Sequence, residues 1–165
     1  MTTIRQYQSQ MNNYIDEILN KVEKSSEEVI LWKPSDEEWS VLQILCHVEE
    51  IIVYWIAEFG RVVKAEGKVE WGRGLQDEAR LKAVQEAEHR VVSDVMNGIQ
   101  KAKEYANEQL SQLKNEALLV KAPHRNPKFG MKSMDFLVKH FVTEHLNKHR
   151  NQIERNIEKY KLLVK

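Results

Sequence analysis

One cysteine, three prolines and six glycines are all that this 165-residue chain holds of the residues that most often staple, break or bend a backbone. The lone Cys46 excludes an internal disulfide framework and fits a reducing compartment. Charge of one sign is missing too. Lys and Arg number 25, as do Asp and Glu, so the basic excess usual in a nucleic-acid binder is absent. The longest uninterrupted apolar run, Ile51 to Ala57, is far too short to cross a bilayer. Residues Thr2 to Gln8 hold no apolar signal core. A cytoplasmic protein without nucleic-acid or membrane partners is expected. Also missing are a glycine-rich phosphate loop, a Ser-His-Asp nucleophile context and zinc-finger cysteine spacing.

What is present is helical periodicity. Glycine and proline fall mostly in two stretches, and the segments between read as long helices. Thr3 and Gln6 match a capping box ahead of a helix whose buried side uses Ile4, Tyr7, Met11, Ile15 and Ile18. A short turn follows from Ser25 to about Leu31, where Pro34 prevents continuation. Ser40 and Gln43 form a second capping box, with Trp39 and Ile44 placed as a staple, and this helix runs to about Ala65. Gly67 to Gly74 reads as a loop. A third helix is predicted from Asp77 to Leu113, with Gly98 a weak point of about 1 kcal/mol relative to alanine where it can bend. Lys121 to Lys132 reads as a second loop, and Ser133 caps a fourth helix that runs nearly to the C-terminus. Without any strand period, these elements predict an all-α four-helix bundle, one domain over residues 1–165.

Histidines carry the chemistry. His145 and His149 are four residues apart, which on a helix sets them about 40° apart and one turn from each other. Both continue the apolar stripe Met134, Leu137, Val138, Phe141, Ile153, Ile157, while His47 interrupts another stripe between Ile44 and Ile51. A buried imidazole without a partner costs about 1–3 kcal/mol. Either each ring finds its own hydrogen-bond partner, or the three share one cation. The shared cation accounts for all three at once, so His47, His145 and His149 are predicted to bind a divalent metal ion between helices two and four. Neutral imidazoles leave such an ion its full charge and an open position, the pattern of catalytic sites. Zinc and nickel lead among the metals that imidazole suits, with iron, copper and cobalt behind them.

The remaining candidates read more plainly. His140 lies on the polar side of its helix, His89 is exposed, and His124 is a surface residue of the second loop. Cys46 behaves as a small buried hydrophobe. Gln152 is placed either to orient His149 or to serve packing or solvent contact, whereas Glu50 and Glu144 reach the histidines only with a favourable helix rotation. The basic loop (Lys121, His124, Arg125, Lys128, Lys132) reads as solvated charge, or as an attractor for an anionic substrate. Trp55 and Trp71 are candidates for an oligomer interface. No residue stands out as a general acid or base.

Three stretches together resemble the DinB/YfiT-like family of metal-dependent enzymes: Trp32-Lys33-Pro34; Trp39-Ser40 with His47 eight residues past the tryptophan; and His145-x3-His149-Arg150-x-Gln152-Ile153. The resemblance implies a four-helix bundle with a divalent metal held by His47, His145 and His149. It further implies homodimerisation and, as in some relatives, transfer or isomerisation that uses a low-molecular-weight thiol as co-substrate. Lys148 and Asn151 depart from the family pattern, which has a histidine and a glycine at the matching places. Three functions follow for a small-molecule substrate: thiol-dependent S-transfer, metal-assisted hydrolysis, or metal binding and oligomerisation without turnover.

Overall fold

Each of the three predicted caps starts a helix. The computed structural model describes residues 1–164. Thr3 and Gln6 close a reciprocal capping box at the start of α1 (Ile4–Glu23). α2 is the short turn Glu27–Leu31. Ser40 and Gln43 repeat the box ahead of α3 (Val41–Lys64). Such a box satisfies two orphan N–H groups at once and is why these boundaries were readable.

The predicted third helix, Asp77 to Leu113, is broken. Asp77 caps α4 (Glu78–Gln85), a 3₁₀ turn covers Ala87–His89, and α5 (Val92–Ser111) starts only after an extended Arg90 with φ −108° and ψ 144°. The Arg90 guanidinium turns to Glu49 on α3, and that ion pair fixes the break. Gly98 is no bend; it lies inside α5, where a Cβ would sit 1.6 Å from Glu49 Oε2. Its missing side chain is the seat for that carboxylate.

The loop predicted from Lys121 to Lys132 contains a small hairpin, β1 (Lys121–Pro123) antiparallel to β2 (Met131–Ser133), with Ala122 opposite Lys132. Trp71 ties the other loop to it: its backbone N–H donates to the Pro123 carbonyl at 3.1 Å and its indole N–H to the Ala122 carbonyl at 2.9 Å. Gly67 makes the turn that permits this approach, with φ +79° and room for a Cβ only 2.2 Å from the Lys121 carbonyl oxygen. Gly67→Ala therefore meets both left-handed strain and a backbone clash, and is expected to lower stability by about 2 kcal/mol. Urea unfolding at neutral pH checks this, and a loss below about 0.5 kcal/mol would contradict it.

The last helix changes its winding. Ser133 caps α6 (Met134–Phe136), a π-helical segment covers Leu137–Thr143, and α7 (Glu144–Leu163) resumes regular geometry. The Glu144 N–H reaches back to the Lys139 carbonyl, while the Thr143 hydroxyl donates to that same carbonyl at 2.9 Å. A side-chain hydroxyl inserted in the ladder is a recognised cause of such a wide turn. The buried stripe consequently shifts by one residue. Met134, Leu137 and Val138 are buried as the period predicts, but Val142 and Leu146 follow them, and Phe141 and His145 are only half-buried.

α3 lies at the centre of the packing, against α5, α4, the π-helical segment and α7, while α1 packs on α5 and α7. Ile15, Ile44, Phe59, Ile99 and Ile153 fill the core between them. Helix dominates the described residues, and none of the helices is long and apolar enough to cross a membrane.

Candidate metal centre

His47 sits at the end of the second turn of α3 with 0% of its surface exposed, and neither ring nitrogen has a hydrogen-bond partner. It faces two histidines from α7. Ring centroids are 5.4 Å from His47 to His145, and 4.7 Å both from His47 to His149 and from His145 to His149. One nitrogen from each ring lies within 4.8 Å of the others, and among the described residues no carboxylate or thiol joins the group. Regular geometry in α7 is what keeps His145 and His149 one turn apart on a single face.

One of the rings is held from behind. His149 Nδ1 donates to Gln152 Oε1 at 2.9 Å, which leaves Nε2 as a buried lone-pair nitrogen with no protein partner. The Phe141 carbonyl lies close enough to His145 to favour its protonated form, against the larger effect of burial. The edge of Trp39 packs on His47, with ring centroids 5.2 Å apart. All three imidazoles are kept neutral. Burial, and then the neighbouring histidines, push His47 down to about 2; burial and His149 push His145 down to about 3. Burial lowers His149 to about 4 although Gln152 opposes it. Neutral rings with free lone pairs are the form in which histidine ligates a metal.

The triad opens on a cleft of about 440 Å³, within the range of small-molecule sites. Trp55 and Phe141 form part of its lining and stack with centroids 4.2 Å apart at 20°. Another part of the wall is the segment from Arg73 to Leu75, together with Arg80. Glu58 anchors that wall by accepting from the Gly72 N–H at 2.7 Å and from Arg61 Nε at 2.7 Å. Burial pushes the Glu58 carboxyl up, but these partners and Arg125 outweigh it and hold the group below the usual carboxylate range. Gly72 (φ +90°) lies so close under His124 that a Cβ there would be 2.2 Å from Nε2. Arg73 is held by both oxygens of Glu50 and, at 3.3 Å, by Asp77, with its guanidinium over the Tyr54 ring.

Several sequence readings are corrected here. His124 is buried rather than a surface residue, because Trp71 and Phe129 enclose it. Trp55 and Trp71 are core residues, which removes them from any interface. The basic loop does not line the cleft: Arg125 is spent on the Gly72 carbonyl at 2.7 Å and Lys132 lies over Phe136. Glu50 is committed to Arg73, and Glu144 is exposed and lines a different cavity. His89 and His140 are exposed as the sequence suggested, and Cys46 is buried, its thiol pushed up to about 11 by burial. Sequence reasoning missed Arg80, Leu75 and Arg155 as cleft residues. The loop and helix break that deliver the first two have no periodic signature.

A largely helical chain that gathers three neutral histidines from two helices at the floor of a cleft defines a narrow class of fold and site. The model of the DinB superfamily matches residues 10–153, and the chain belongs to that superfamily. Comparison with curated protein sequences finds no significant match.

Proposed function

We propose that this protein is a single-domain metal-dependent enzyme of the DinB type, a four-helix bundle that binds one divalent ion through His47, His145 and His149. The observation that carries the reading is the set of orphaned nitrogens. His47 has no protein partner at all and His149 Nε2 has none, in a place where an unsatisfied polar group costs about 1–3 kcal/mol. A shared cation removes that cost. The donor set fits zinc or nickel best among divalent ions. Gln152 fixes the tautomer and orientation of His149, and Trp39 packs His47 in place.

The cleft favours turnover over a purely structural ion, since a closed structural site needs no 440 Å³ approach to one side. When bound, the ion supplies Lewis acidity to an oxygen or a thiol brought by the substrate. Among the described residues no carboxylate joins the three histidines, and Glu37 and Glu38 stand elsewhere in the cleft lining. A nucleophile that needs little help from a base fits that arrangement best, which favours a low-molecular-weight thiol, whose pKa of about 8.5 needs only a small downward push. Hydrolysis, which would need far more activation of water, is the second reading. Trp55 and Phe141 shed water around the reacting groups and stack against one another to keep the pocket open. The protein is proposed to work in the cytoplasm on a small molecule, as a homodimer. Sedimentation at micromolar concentration that shows only the 19.4 kDa chain would remove the dimer.

Elemental analysis of protein purified without added metal or chelator tests the central claim. About one equivalent per chain is expected, and Gln152→Leu is expected to weaken the affinity about tenfold or more. A chain that takes up no divalent ion after exposure to zinc, nickel and cobalt in turn would overturn the reading.

A further inference from the structure

The charges around the cleft are unequally spent. Four cations line it, Arg73, Arg80, Lys148 and Arg155, and only Arg73 is paired, with Glu50 and Asp77. Arg80 donates one N–H to the Leu75 carbonyl at 3.1 Å, and among the described residues no carboxylate lies within ion-pair distance of Arg80, Lys148 or Arg155. The acids of the cleft do not cancel them. Glu38 is held by Lys159 at 3.5 Å, which leaves Glu37 against three free cations. Lys148 and Arg155 are seven residues apart on α7, so they share a face within about 20° and stand about 10 Å apart along the axis. Arg80 comes from the facing α4 and is half-buried, a poor place for an unneutralised guanidinium. Surface charge that served only solubility would not converge from two elements onto one opening.

We propose that Arg80, Lys148 and Arg155 form an anion-binding rim, so that the substrate carries a carboxylate or phosphate group at the end away from the histidines. The proposal deepens the reading of this cleft as a substrate site and rests on it. The histidine floor takes the reactive group, and α4 and α7 hold the anionic end between them.

The test uses metal-free protein, so that it does not depend on the ion. Succinate and inorganic phosphate are titrated in separate series, followed by amide chemical shifts, with ethylene glycol as the neutral comparison. The expected result is saturable shifts confined to α4, α7 and the segment Arg73–Leu75 for at least one anion and none for the glycol. The tighter of the two anions identifies the group. The triple variant Arg80→Gln, Lys148→Gln, Arg155→Gln is expected to bind about tenfold more weakly, as two exposed pairings and one half-buried one, of a few-fold each, combine. Lys64→Gln, an exposed control away from the cleft, is expected to bind like the unmodified chain. Should the triple variant fail to fold, the two exposed substitutions Lys148→Gln and Arg155→Gln carry the comparison alone. Unchanged affinity in the variants, or shifts scattered away from the cleft, would overturn the rim. Metal content of the same variants separates the two claims. A chain that binds anions as described yet holds no ion sinks only the metal reading, while a metal-loaded chain indifferent to the three substitutions sinks only this one.

Discussion

His145→Ala is expected to lose nearly all bound metal, while His140→Ala, five residues away on the same helix, keeps it. His145 lies 5.4 Å, ring to ring, from His47 and contributes one of the three clustered nitrogens. His140 is exposed and stacks flat on Phe136 at 5.1 Å, on another side. Loss of even an outer partner of a ligand weakens metal affinity about 10–100-fold, so removal of a ligand itself should exceed about 100-fold. After exhaustive dialysis, elemental analysis should find less than about a tenth of an equivalent in the first variant and near one equivalent in the second. Equal contents would refute the assignment. His47→Ala should behave as His145→Ala does, which separates a shared ion from one held by the α7 pair alone.

The metal-free protein is expected to lose about 4 kcal/mol of stability between pH 7.5 and pH 5.5. In the unfolded chain the three imidazoles titrate near the ordinary value of about 6.5. In the folded chain burial holds His145 near 3 and His149 near 4, with His47 lower still. Above pH 6.5 both states carry neutral rings and these groups give no pH dependence. Below it the unfolded state binds protons that the folded state refuses, so stability falls as pH falls, by about 1.4 kcal/mol per unit for each histidine. The window begins to close near pH 4, where His149 starts to accept a proton in the fold, and His145 and His47 follow at lower pH. Against a typical total of about 5–15 kcal/mol this is a large fraction. Urea unfolding at the two pH values measures it. His47→Gln should remove about a third of the effect; a flat profile would mean that the rings are not buried neutral.

The parts of this structure that were legible in the sequence are those written in short-range code. Thr3, Ser40 and Ser133 announce their helices because a cap and its partner lie within three residues. His47, His145 and His149 stood out because each interrupts or continues an apolar stripe. The break near Arg90 was not legible, since its cause is Glu49, about 40 residues away in sequence. Neither was the burial of Trp71 and His124, two loop residues that become core by bridging to each other. Arg80 escaped for the same reason, because only the broken helix brings it across from α7. The wide turn before His145 left no mark beyond Thr143, whose hydroxyl is an ordinary sight on helix surfaces.

That wide turn has a consequence for how the last helix divides its labour. In uniform winding, Phe141 and His145 fall on the same line as Met134 and Val138, and their rings would be committed to the interior. One additional residue absorbed between Leu137 and Thr143 rotates everything downstream by about 100° relative to that line. Val142, Leu146 and Ile153 take over the interior positions, and Phe141 and His145 are released to the cleft wall. A helix of single phase would have to trade adhesion against ligand presentation at every turn. With its phase reset midway, this one gives adhesion chiefly to Val142, Leu146 and Ile153 and leaves Phe141 and His145 to face the cleft.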